Sequence, residues 1–187
     1  MTKTRTVSNL EEISALEKKV RAAIRKTVSA LGGLIDNSKP FNLFYAMKFE
    51  PVGYDPLEPE RPLNLIEQIN QSFSYLVTLR GAAYLLRKHP TAVPFTLNFG
   101  TAPGPDIVSA DRSVMAEAFA ATRTDSNRKL RKDIEKMRAR AAGHKYVFFY
   151  THEAPPKAKD EGEVETVFVD VSRSAARPAK KRKPRAR

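Results

Sequence analysis

Apolar residues recur at helical spacing through Ile13, Leu16, Val20, Ile24, Val28 and Leu31. Ser8 and Glu11 stand ahead of them as a capping box and Gly32-Gly33 follows, so the pattern predicts an amphipathic helix over 8–31. The aromatic run Phe41–Phe49, bounded by Pro40 and Pro51, reads as a strand. The proline-rich segment Glu50–Pro62 reads as a surface loop. A second helix begins at Leu63, with Ile66, Ile69, Phe73, Leu76, Leu79, Ala83 and Leu86 as its core stripe. Strands follow at Ala92–Phe99, Asp106–Ser109 and Ser113–Ala121. A helix over Ser126–Ala142 then leads into a strand at Lys145–Thr151, whose consecutive apolar residues suit a strand covered on both faces. The alternation of Val164–Val171 is that of an antiparallel edge strand.

Strands interleaved with helices make this an α/β chain, with a central mixed sheet flanked by helices and an amphipathic helix in front. At 187 residues, 41% hydrophobic and 29% charged, one domain over 1–171 is the expectation. The formal charge is +12, and residues 172–187 carry eight Lys/Arg and no acid, leaving +4 on the body. A tail of that composition is expected to be disordered and to bind polyanions through charge alone. A nuclear localisation signal or a plain solubility tail are its alternatives. The Ala/Arg/Pro bias favours a bacterial or phage source. No apolar run approaches the ~18 residues that cross a bilayer, and the absence of cysteine excludes disulfides, thiolate zinc sites and a thiol nucleophile. A cytoplasmic protein without membrane contact is expected. His89, His144 and His152 show no metal-ligand spacing and read as surface or loop residues.

Two acids interrupt apolar strand runs. Asp106 precedes Ile107-Val108, and Glu117 lies among Val114, Met115 and Phe119. Burial of each requires a compensating partner. The bland assignment closes a turn with Asp106 after Gly104-Pro105 and pairs Glu117 with Arg112 or Arg123. The functional one brings two carboxylates together from neighbouring strands, a donor set suited to Mg²⁺ or Mn²⁺ and so to phosphodiester chemistry.

Pro105-Asp106, the acid Glu117 eleven residues on, and the order helix, three strands, helix, strand over residues 63–151 together resemble the PD-(D/E)XK nuclease superfamily, of restriction-endonuclease-like fold. The resemblance implies metal ligation by Asp106, Glu117 and the Ala118 carbonyl, with Glu67 as an auxiliary acid on the preceding helix. It also implies a lysine two residues after the second acid, where this chain has Phe119. Some superfamily members lacking that lysine draw an amine from elsewhere, usually the following helix, which here contains Lys129 and Lys132, and others have lost activity. Glu67 is equally explained as a helix-start acid placed favourably against the macrodipole.

Between Arg123 and Lys145 nine basic residues face three acids. Arg123, Asn127, Arg128, Lys129, Arg131, Lys132 and Lys136 form a candidate phosphate-backbone surface, with solvated side chains of an ordinary helix as the alternative. The leading expectation is therefore a metal-dependent nuclease-like protein acting on nucleic acid, with DNA favoured over RNA. The alternative is a catalytically inactive nucleic-acid-binding or regulatory protein of the same fold, which Phe119 favours. A protein-interaction module is a third reading, and homodimerisation through the first helix is left open.

Overall fold

The computed structural model describes residues 3–100, 103–123, 125–152 and 162–172; of Asn127 only the backbone is described. Among these residues lie four helices and a six-stranded mixed sheet. In chain order the elements are β1 (Thr4–Val7), α1 (Leu10–Asn37), α2 (Pro40–Phe49), β2 (Gly53–Tyr54), β3 (Pro62–Leu63), α3 (Leu65–Lys88), β4 (Phe95–Asn98), β5 (Ile107–Ser109), β6 (Val114–Ala121), α4 (Lys129–Arg138), β7 (His144–Thr151) and β8 (Val164–Phe168). A 3₁₀ turn, Ser126–Arg128, leads into α4. The large sheet runs β1-β4-β5-β6-β7-β8, antiparallel from β1 to β6 and parallel from β6 to β8. The basic tail beyond residue 172 lies outside the described residues.

Side-chain alternation along β6 divides the core. Ala116 and Ala118 join the cluster under α3, with Leu76, Leu79 and Phe148. Met115 and Phe119 join the cluster under α4, with Ile134 and Met137. The sheet is therefore covered on both faces, which explains why β6 and β7 are apolar on consecutive residues. Close approach of α3 requires Gly81, where a Cβ would stand 2.5 Å from Cδ2 of Phe148.

Several elements differ from the pattern-based expectation. Phe41–Phe49 is helical: Pro40 supplies a favourable first-turn residue, and Leu43, Ala46 and Met47 sustain the helix. Its aromatic residues face outward, with Phe41 at 77% and Phe44 at 73% exposure. Helix α1 passes through Gly32-Gly33 to Asn37, since each glycine costs only about 1 kcal/mol and neither breaks the backbone hydrogen bonds. Its cap is Asn9, whose side chain accepts from the N–H of Glu12, while the Glu12 carboxylate accepts from the N–H of Ser8. The cap thus falls one residue after Ser8, while the return hydrogen bond of the carboxylate stays on the N–H of Ser8.

The proline-rich loop is pinned by the β2–β3 ladder and by the fully buried Asp55, which accepts from the ammonium of Lys3 and from the N–H groups of Leu57 and Glu58. Lys3 immediately precedes β1, a strand the polarity of the first residues had concealed. Helix α4 is shorter than the span 126–142, ending at Arg138. The edge strand β8 pairs with β7 in parallel, not antiparallel, because alternation records which faces a strand shows and not its direction. In the first half of α3 the polar Gln68 and Ser72 are buried, whereas Ile66, Ile69 and Phe73, assigned to the core stripe, are 48%, 43% and 42% exposed. Gln68 accounts for the rotation: its Oε1 accepts from the Thr27 hydroxyl on α1 and from the N–H of Tyr54.

Candidate metal and acid-amine site

Asp106 immediately precedes β5, and β5 pairs with β6 so that Ile107 lies opposite Ala116. This register carries Asp106 to the level of Glu117. Gly104, at φ +128°, makes the preceding turn. One carboxylate oxygen of Asp106 accepts from the N–H of Ala118 at 2.7 Å.

Glu117, on the β6 face shared with Met115 and Phe119, points toward α4 and is only 5% exposed. Its partner is Lys136 at 3.5 Å, rather than Arg112 or Arg123. Lys136 also lies 3.4 Å from Asp133, a fully buried acid on α4, and Lys129 donates to the same Asp133 oxygen at 2.8 Å. The Lys129 ammonium is 5.9 Å from the centroid of the ring of Phe119, the residue that stands where the resemblance implies a lysine.

Three carboxylates thus face two ammonium groups, leaving one negative charge uncompensated when all five are ionised. Burial raises the carboxyl of Asp106, and the charge of Glu117 adds to it, against the Ala118 N–H and Lys129; the result is about 7. Burial also raises Glu117, with Lys136 opposing and Asp133 reinforcing the shift. Burial works against the charged form of Lys136, but Glu117 and Asp133 outweigh it and raise its pKa. The second oxygen of Asp133 is buried without a hydrogen-bond partner. An additional cation, or a proton held by Asp106, would complete this arrangement.

The donor set bears on which cation. Among the described residues no three His, Cys, Asp or Glu side chains form a metal-binding group. A pair of carboxylates with a neighbouring carbonyl nevertheless suits Mg²⁺, which typically takes one or two protein carboxylates and completes its shell with water and phosphate oxygens.

The other candidate residues are distributed differently. Glu67 is exposed at the start of α3, on the far side of the sheet from the Glu117 carboxylate, and its N–H is capped by the Asn64 side chain. Lys132 is exposed and does not join the acids. Lys136, read as a phosphate-contacting residue, joins them instead, together with Lys129 and with Asp133, which the sequence reading passed over.

Arg123 pairs with Asp125 at 3.1 Å and Arg131 with Glu135 at 2.9 Å, both on the surface. Arg128 is exposed at φ +53°, in the turn before α4. The Asn127 side chain lies outside the described residues. Of the histidines, His144 and His152 are exposed, whereas the His89 Nε2 is 2.7 Å from the Tyr146 hydroxyl.

Among the described residues no helix is long and apolar enough to cross a membrane. Comparison with known proteins returned no matching family model, no curated relative and no matching solved structure.

Proposed function

We propose that the chain is a metal-dependent nuclease of the PD-(D/E)XK type, with a restriction-endonuclease-like fold, that hydrolyses DNA phosphodiester bonds. One observation carries this reading: Asp106 and Glu117 are brought level on adjacent strands, the Lys136 ammonium of α4 lies 3.5 Å from Glu117, and the Lys129 ammonium stands over the ring of Phe119. Helix α4, in this reading, supplies the amine that the resemblance sets at position 119.

In this reading Asp106, Glu117 and the Ala118 carbonyl hold Mg²⁺ or Mn²⁺. A bound ion would lower the pKa of its water and polarise the phosphate. The chain's own residues do the remainder. The Ala118 N–H fixes the Asp106 carboxylate through one oxygen and leaves the other for a ligand. Lys136, kept protonated by Glu117 and Asp133, offers positive charge to the phosphate oxygens as negative charge builds on them. Lys129 orients the attacking water through a hydrogen bond from its Nζ. Arg128, Arg131 and Lys132, on the outward side of the same segment, provide cations for the phosphate backbone on either side. Glu67 has no part in this assignment.

The second reading, an inactive nucleic-acid-binding protein, rests on Phe119, which is 3% exposed and packed against Phe149 at 6.0 Å between ring centroids. That ring is built into the core and has no chemistry to offer the site. Cleavage of plasmid and single-stranded DNA with Mg²⁺ or Mn²⁺ separates the two. Cutting by the wild type, lost in folded Asp106→Ala and Glu117→Ala, supports the nuclease. Binding without cutting supports the inactive protein.

A further inference from the structure

At the carboxyl ends of β6 and β7, on the α3 side of the sheet, lies a cleft of about 480 Å³. Ligands of open α/β sheets collect at such strand ends. Its walls are Ile69 and Phe73 from α3 and Tyr150 from β7, and its rim carries Asn70, Thr122 and His152. The rings of Phe73 and Tyr150 lie within 12° of parallel, their centroids 6.4 Å apart. Ile69 and Phe73 are 43% and 42% exposed because Gln68 and Ser72 occupy the buried side of α3. Apolar walls with aligned rings accept a flat heterocycle, and an amide, a hydroxyl and an imidazole at the rim suit the polar edges of one.

We infer that this cleft takes an unpaired nucleobase, stacked on the Phe73–Tyr150 pair. Resting on the nuclease reading, the inference names the substrate class as single-stranded or locally unpaired polynucleotide, since a base inside a duplex cannot offer its face to a side chain. The cleft begins at Ala120, three residues and therefore about 10 Å along β6 from Glu117, on the opposite face of the sheet from the Glu117 carboxylate. A strand bound there by one base reaches the acids by passing round the end of the sheet that both share. The formal charge of +12, eight of it in residues 172–187, favours a polyanion over an uncharged aromatic ligand of the same shape.

The test uses the full chain in EDTA, where hydrolysis is suppressed, with a single strand of about 12 nucleotides carrying 2-aminopurine, a span within the usual range of single-strand sites. The same sequence as a duplex is the comparison. The expected result is a fluorescence change on binding the single strand, tighter binding than to the duplex, and a loss of roughly 5- to 100-fold in Phe73→Ala. Phe73→Tyr should retain affinity, and Phe73→Leu, which preserves apolar volume on an exposed helix face, should lose it. Equal binding of duplex and single strand, unaffected by Phe73→Ala, would overturn the cleft while leaving the nuclease reading intact. Base-dependent binding with no cleavage under either metal would uphold the cleft and remove the hydrolytic reading. No affinity for either polynucleotide would overturn both.

Discussion

Asp106→Asn isolates the charge at the proposed metal site while preserving its shape. Asparagine keeps an oxygen to accept from the N–H of Ala118, so the 2.7 Å hydrogen bond survives. Burial and Glu117 lift the Asp106 carboxyl from 3.8 to about 7. Between those two values the folded chain holds a proton that the unfolded chain has released, and folding stability therefore falls as pH rises through the window. At about 1.36 kcal/mol per unit the full shift amounts to about 4 kcal/mol. Asp106 retains some solvent exposure, and screening reduces the expected penalty to about 2 kcal/mol. Asp106→Asn should equal the wild type in stability at pH 3 and exceed it at pH 8 without metal. The corresponding rise in Tm is roughly 4–8 °C for a domain of this size. Adding Mg²⁺ should reverse the order, because an ion held at 100 times its Kd stabilises by about 2.7 kcal/mol and the variant lacks a ligand for it. Thermal denaturation at the two pH values, with Mg²⁺ or EDTA, reads all of this. A variant less stable than the wild type at pH 8, or a difference independent of pH, would show that the Asp106 charge is already compensated within the protein and would refute the argument.

Three further outcomes follow from the same geometry. Lys129→Met should lower kcat by roughly 100-fold or more, while Lys132→Met leaves kcat near wild type and weakens DNA binding with a salt slope smaller by about 1; single-turnover cleavage and salt-dependent binding separate the two. Phe119→Lys, which places at 119 the residue that the resemblance implies, should fail to raise activity and should cost roughly 3–5 kcal/mol, because it exchanges a ring only 3% exposed for a charge; urea denaturation checks it. Gly81→Ala gains about 1 kcal/mol of helix propensity, yet its methyl carbon would stand 2.5 and 2.7 Å from ring carbons of Phe148 and 3.1 Å from Cδ1 of Ile107. Overpacking of a fully buried ring typically costs about 1–3 kcal/mol, so the net change should be a loss, measured as a lower urea midpoint at unchanged m-value.

The strands that carry the acids were legible because β5, β6 and β7 are apolar in runs of strand length between turn residues, and their pairing needs nothing beyond adjacent, covered strands. What failed to show was information held between elements. Aromatic residues at 41–49 suit a strand or a helix, and the choice was made by Pro40 at the first turn. The rotation of α3 depends on Gln68 meeting Thr27 and Tyr54, residues 41 and 14 positions away, which no periodicity within α3 records. That single buried amide turns Ile69 and Phe73 outward, so the cleft proposed for a base was hidden inside what read as an ordinary core stripe.

The choice among the lysines of α4 is a different case, since helix geometry alone contained the answer. At 100° per residue, Leu130, Ile134 and Met137 point in one mean direction, and Lys132 stands about 170° from it. Asp133 stands about 70° away, Lys129 about 110° and Lys136 about 130°, so these three share the flank of the helix that turns back toward the sheet. Lys132 was therefore the lysine least able to reach Glu117, and Asp133 the polar residue nearest the core. The signal was present in the spacing of the apolar residues. It was obscured because the superfamily resemblance directs attention to whichever lysine is close in sequence, whereas the ammonium that meets Glu117 is chosen by the side of α4 that packs on β6.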